Sequence, residues 1–118
     1  MGDSFKDLIV WQRAVELSVE IYQLTSAFPH SEQFGLTSQL RRASVSIASN
    51  IAEGYGRSTR GEYLQFLGHS RGSLCELQTQ LVIAKSLGFG EERARIVVEE
   101  ISSDVSRLLI ALMKKLKG

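Results

Sequence analysis

The stretch Leu36–Gly54, LTSQLRRASVSIASNIAEG, decides the fold. At 100° per residue it reads as one helix with Leu36, Leu40, Ala43, Ser44, Ile47 and Ile51 on a single face. The opposite face is also small or apolar: Val45, Ala48 and Ala52, with Arg41 and Arg42 at its borders. Gly54 follows the last periodic residue, where a left-handed C-cap is expected. The rest of the chain reads as helices packed around this one.

Toward the N-terminus, the pattern predicts a helix over about residues 7–27. Gln12, Arg13, Glu16, Glu20 and Gln23 share its polar sector. One apolar stripe is Leu8, Trp11, Val15, Val19 and Tyr22; a second is Val10, Ala14, Leu17, Ile21 and Leu24. Together they cover about half the circumference, more than the ~100° stripe of an ordinary surface helix. Pro29 ends the helix and pushes Phe28 toward an extended conformation. Residues 30–35 are a connection to the second helix, predicted over 36–53.

Toward the C-terminus, Gly54-Tyr55-Gly56-Arg57 reads as a short turn. Thr59 and Glu62 fit a capping box that opens a third helix over 60–87. Its seam is Tyr63, Leu67, Ser70, Leu74, Leu77, Leu81 and Ala84, alternating steps of four and three. Behind the seam lie Leu64, Gly68, Gly72, Cys75, Thr79 and Val82. A glycine inside a helix costs roughly 1 kcal/mol relative to alanine, which a close approach by another backbone would justify. Gly88-Phe89-Gly90 has the pattern of a Schellman stop with Phe89 packing back. The fourth helix is predicted over 91–116, with its seam on Ala94, Val97, Ile101, Val105, Leu108 and Leu112. Glu91 and Glu92 suit its positive end, and Lys114, Lys115 and Lys117 its negative end. Short connections between long helices favour antiparallel neighbours, so the expected fold is all-α, an up-down-up-down four-helix bundle forming one domain over 1–118.

Composition narrows the function classes. The chain has 118 residues, 43% hydrophobic and 23% charged, as ordinary soluble domains do. A net charge of +1 does not announce a nucleic-acid binder. The lone Cys75 excludes an intramolecular disulfide and a cysteine-rich metal cage. No apolar run is long enough for a membrane span, and MGDSFKDL lacks the features of a signal peptide, so a cytoplasmic protein is expected. Charge is unevenly placed, however. Lys6 and Arg13 face Asp3, Asp7, Glu16, Glu20 and Glu32 in the first part, whereas Arg41, Arg42, Arg57, Arg60 and Arg71 face only Glu53 and Glu62 in the middle.

Those five arginines are the candidates for nucleic-acid contact, since guanidinium groups suit phosphates and need no sequence code. The competing reading is that they pair with acids or are solvated. No aromatic platform interleaves them in the sequence; Tyr55 and Tyr63 are only nearby. Asn50 and Glu53 read as organisers of the second helix's terminus. His30 and His69 are too few for a histidine metal cluster, and the Glu-x-x-His pairs of di-iron bundles are missing. Cys75 has no base partner and reads as a packed thiol. Ser44, Ser46 and Ser49 lack a nucleophile elbow, and no glycine motif cradles phosphate. No catalytic residue, metal or cofactor is expected.

Several words of the sequence go further: Phe5-Lys6-Asp7-Leu8 with Val10-Trp11-Gln12, Phe28-Pro29, and Phe34-Gly35-Leu36-Thr37-Ser38-Gln39-Leu40-Arg41-Arg42-Ala43. Ser46-Ile47, Asn50-Ile51-Ala52-Glu53-Gly54, Glu62-Tyr63-Leu64, Gly72-Ser73-Leu74 with Glu76-Leu77, and Leu87-Gly88 continue the series. In these words the chain resembles the four-helix bundle family of proteins encoded in intervening sequences of 23S ribosomal RNA genes. The resemblance implies a small bacterial bundle that assembles as a ring-like homopentamer. It also implies kinship with the accessory variability determinant of diversity-generating retroelements, which works with a reverse transcriptase and nucleic acid. The expected function is therefore non-enzymatic: a self-associating bundle acting with RNA, DNA or a ribonucleoprotein partner. The alternative is a protein-binding scaffold without nucleic-acid contact. Subunit contacts are expected on the second faces of the middle helices, at Val45, Ala48, Ala52, Leu64, Gly68, Cys75 and Val82.

Overall fold

The computed structural model describes residues 4–118, so the expectations that touch Met1, Gly2 and Asp3 lie outside the described residues. A 3-10 turn at Phe5–Asp7 precedes helix α1 (Ile9–Thr25), and another at His30–Glu32 precedes α2 (Leu36–Tyr55). Helices α3 (Arg60–Ser86) and α4 (Glu92–Lys117) follow. Each helix packs on its neighbour in sequence, and α1 also packs on α4, which closes a ring of four. The cross-helix pairs fix the directions. Between α2 and α3, Gln80 Nε2 donates to Gln39 Oε1, the Ser46 and Ser73 hydroxyls lie 2.9 Å apart, and Ser70 Oγ donates to the Ile47 carbonyl at 2.8 Å. Numbers rise on one helix as they fall on the other, so the pair is antiparallel. Ser18 with Ser44 and Thr25 with Arg41 show the same for α1 and α2. Arg13 with Asp104 and the Phe28 ring on Phe89 show it for α1 and α4.

The core forms where four apolar stripes meet. Val10, Ala14, Leu17, Ile21 and Leu24 supply α1's share, so of the two stripes read in that helix this one faces inward. On the other stripe Val19 is 53% exposed and Tyr22 46%. α2 contributes the face read from its periodicity, joined by Thr37 and Gly54. The α3 seam is buried from Leu67 to Ala84 as expected, with Tyr63 half-buried at its start.

Three expectations are corrected. The second helix does not stop before Gly54 with a left-handed cap. It runs to Tyr55, and its cap Gly56 keeps a right-handed backbone with φ −81°. Gly54 is instead buried against α3, where a Cβ would meet the Phe66 Cβ at 2.9 Å and the Tyr63 carbonyl oxygen at 3.2 Å. The residue is small because two helices touch there. The seam of α4 is also rotated: Val98, Ile101, Ser102, Val105 and Leu109 are buried, and Val97 is exposed. Doublets such as Val97-Val98 and Leu108-Leu109 offer two equally apolar registers, and packing on α1 and α3 selects the second. Finally, α1 begins at Ile9, because Ser4 caps a separate 3-10 turn by accepting from the Lys6 N–H.

The stop after α3 follows the expected pattern. Gly88 has φ +76°, its N–H donates to the Lys85 carbonyl, and the Phe89 N–H donates to the Ala84 carbonyl. Thr59 caps α3 by accepting from the Glu62 N–H at 3.1 Å. The Glu62 carboxylate takes the Thr59 hydroxyl rather than the backbone N–H of a full box.

Candidate functional site

The five candidate arginines divide into groups set by where the helices place them. Arg41 and Arg42 stand in the first half of α2 and Arg57 just past its end, about 20 Å away at 1.5 Å per residue. Arg60 opens α3 beside Arg57, and Arg71 stands farther along the same helix. The basic segment of the sequence is therefore not one patch on the folded chain.

Arg41 is half-buried and works within the protomer. Its Nε donates to Thr25 Oγ1 at 2.9 Å, and its guanidinium lies over the Tyr22 ring, 4.5 Å from the centroid. Arg57 pairs with Glu53 at 2.9 Å and lies over the Phe66 ring at 4.5 Å. Beside it Tyr63 stands edge-on to Tyr55, and burial pushes its hydroxyl pKa up. Arg42, Arg60 and Arg71 are exposed and make no ion pair among the described residues. An Arg57 pair at the surface is weak and salt-screened, so it leaves the cation available to a stronger anion.

The structure adds an aromatic that sequence reading missed. Phe34 is 90% exposed on the connection before α2. It borders a hollow of about 310 Å³ shared with Tyr22, Gln33, Ser38, Arg41 and Arg42. Neither periodicity nor spacing marks it, because a connection has no face to assign.

A second groove, about 360 Å³, runs between α2 and α3 past Gln39, Arg42, Ser46, Ser73, Glu76 and Gln80. Its floor is a chain of small polar contacts in which Asn50 Nδ2 donates to Ser46 Oγ at 3.0 Å and Ser46 meets Ser73. Asn50 thus joins α2 to α3 through Ser46 and does not organise the helix terminus. Glu53 does reach past that terminus, to Arg57. Gln80 is buried, and its Oε1 has no partner.

The residues expected at subunit contacts lie on two flanks. Val45, Ala48 and Ala52 share the side of α2 from which Arg41 and Ser44 reach α1. Leu64, Gly68, Cys75 and Val82 lie on α3 away from Ser73 and Gln80, which face α2. In the ring α1-α2-α3-α4 these flanks are on opposite sides. Val45 is 45% exposed and Val82 65%. Ala48, Ala52 and Leu64 are half-buried, and a Cβ at Gly68 would meet nothing within 4 Å. The expectation that Cys75 is packed is corrected: the thiol is exposed within the protomer, because its register turns it outward.

His30 and His69 are both exposed, and His69 meets only the Phe66 ring among the contacts described. Among the described residues no three His, Cys, Asp or Glu side chains converge where a metal would sit. No helix among them is long and apolar enough to cross a membrane.

The sequence matches the 23S rRNA-intervening sequence protein family over residues 6–111, nearly the whole bundle. The chain belongs to this family. Its fold is similar to a crystal structure of a protein with unknown function from the S23 ribosomal protein family of Bacteroides thetaiotaomicron. The two superpose with a TM-score of 0.80 at 20% identity, over 90% of this chain and 99% of that one. No curated protein matches the sequence. Likeness at that identity carries the four-helix architecture and nothing further, and neither comparison attributes an enzymatic activity to its proteins.

Proposed function

We propose that this family member is a non-enzymatic, cytoplasmic homo-oligomer, a pentamer by preference, that holds nucleic acid or a ribonucleoprotein partner on arginines repeated around a ring. The observation that carries the reading is the pair of apolar flanks on opposite sides of the bundle, with Val45 and Val82 as their most exposed aliphatic members. Two different flanks facing opposite ways suit a head-to-tail contact, and such contacts close into rings. Burying Val45, Ala48 and Ala52 of one copy against Leu64, Gly68, Cys75 and Val82 of the next would remove both stripes from water.

Arg57 and Arg60 stand at the end of the bundle where α2 passes into α3, and would be repeated once per subunit. Weak phosphate contacts multiplied in this way become measurable affinity. The family's name ties its members to ribosomal RNA intervening sequences, which makes structured RNA the first ligand to try. A second reading, a protein scaffold whose arginines serve assembly, is favoured by the engagement of Arg41 with Thr25 and of Arg57 with Glu53.

Gel shifts with structured RNA and duplex DNA at several salt concentrations separate the two. The first reading expects binding with little sequence preference that falls steeply with salt, through counterion release. It also expects Arg57→Glu with Arg60→Glu to abolish the shift while particle mass is unchanged. No shift at low salt, or an unchanged shift in the double variant, favours the scaffold.

A further inference from the structure

We infer that Phe34 and the adjacent hollow form a stacking site for one unpaired base of single-stranded nucleic acid, with Arg42 on its phosphate. This rests on the nucleic-acid reading above and adds a contact at the opposite end of α2 from Arg57 and Arg60.

The ring is exposed on a connection whose backbone is braced. The connection that carries Phe34 is closed by the Gln33 N–H on the His30 carbonyl and the Gly35 N–H on the Glu32 carbonyl, both 3.0 Å. Glu32 Oε1 also accepts from the Leu36 N–H at 3.0 Å, which ties the connection to the start of α2. With the backbone braced, covering the 90% exposed phenyl ring with something flat has only the ring's two side-chain torsions left to order.

The surroundings select the occupant. The hollow beside Phe34 is lined by Arg41, Arg42, Gln33, Thr37, Ser38 and Tyr22, with no carboxylate. The nearest acid in sequence, Glu32, is already held at the Leu36 N–H. Arg41 is fixed by Thr25 and by the Tyr22 ring, so one cation is preset. Arg42 is exposed and makes no ion pair among the described residues, so its guanidinium is open to a phosphate. An apolar occupant, such as a flank of another copy, would dehydrate Arg42 and offer it no anion. A nucleotide offers a π-face to Phe34, a phosphate to Arg42, and polar base edges to Gln33 and Ser38. Aromatic stacking with a cationic rim is the usual way single strands are held without a sequence code. A duplex keeps its bases stacked on each other and cannot use the ring.

The test compares the full chain with Phe34→Ala, Phe34→Trp and Arg42→Gln. Fluorescence anisotropy is read with a labelled single-stranded RNA 12-mer and its duplex over a range of salt, and particle mass is read by light scattering. Phe34→Ala should weaken single-strand binding at least about fivefold, the lower bound for losing one stacked base. It should leave duplex binding, the salt slope and the mass unchanged, and Phe34→Trp should restore affinity. Arg42→Gln should flatten the salt slope. Single-strand binding untouched by Phe34→Ala overturns this inference and leaves the nucleic-acid reading standing. A smaller particle in Phe34→Ala also overturns it and makes the ring a subunit contact. If the unaltered chain binds neither RNA at low salt, both readings fall.

Discussion

Gly54 and Gly68 are the same residue in opposite surroundings. Gly54 lies where α2 meets α3, and a methyl group there would press on Phe66 and the Tyr63 carbonyl. Gly68 lies on the outer flank of α3, where a methyl group would touch nothing. One glycine is explained inside the protomer. The other, with exposed Val45, Val82 and Cys75, meets nothing within the protomer, and the proposed assembly would cover it. The bundle thus has a close interior contact, tied by Ser46-Ser73 and Ser70-Ile47, and two flanks that are open within the protomer.

The sharpest way to break this comparison is to fill Gly54. Gly54→Leu should destabilise the protomer by about 3 kcal/mol or more, because backbone and the root of a side chain block the new atoms. Urea unfolding that shows no loss would mean that α2 and α3 can separate without cost. Ser70→Ala comes next: it deletes a buried hydroxyl bond to the Ile47 carbonyl and should cost about 1 kcal/mol, read as a lower denaturation midpoint. Gly68→Leu should do the reverse to the isolated protomer, adding up to about 1 kcal/mol of helix preference where space is open. The same variant should weaken assembly, so stability and particle mass would move in opposite directions.

The smallest effect concerns the ion pair that joins α1 to α4. The hydrogen bond from Arg13 holds the Asp104 carboxyl below the usual carboxylate range, with help from Arg107. A carboxylate whose folded pKa is lowered stabilises the fold above its unfolded pKa, near 4, and that contribution disappears as pH falls through the lower folded value. Asp104→Asn should therefore be less stable than the parent at neutral pH and equal to it in strong acid. Both side chains are about 30% exposed, so salt should shrink the difference. A difference that persists at acidic pH would assign the effect to packing.

The four helices, their order and most of their buried faces were legible because periodicity and stop signals agree there. Gly88-Phe89-Gly90 and Thr59 act as written. Legibility failed where one sequence feature serves two physical ends. Gly54 resembles a stop, yet it is a contact between helices. Val97 and Val98 are equally apolar, and only the packing of α4 on α1 and α3 decides between them. The candidate site was harder still. Five arginines close in sequence become groups separated along α2, and Phe34 stands in a connection whose exposure no spacing rule reports.

Everything proposed about the flanks depends on their being covered in solution. Multi-angle light scattering of the purified chain at micromolar concentration measures this directly. The account predicts a stable particle near five times the 13.1 kDa chain, losing mass in Gly68→Leu. A monomer at that concentration, with the flanks open to water, would contradict it.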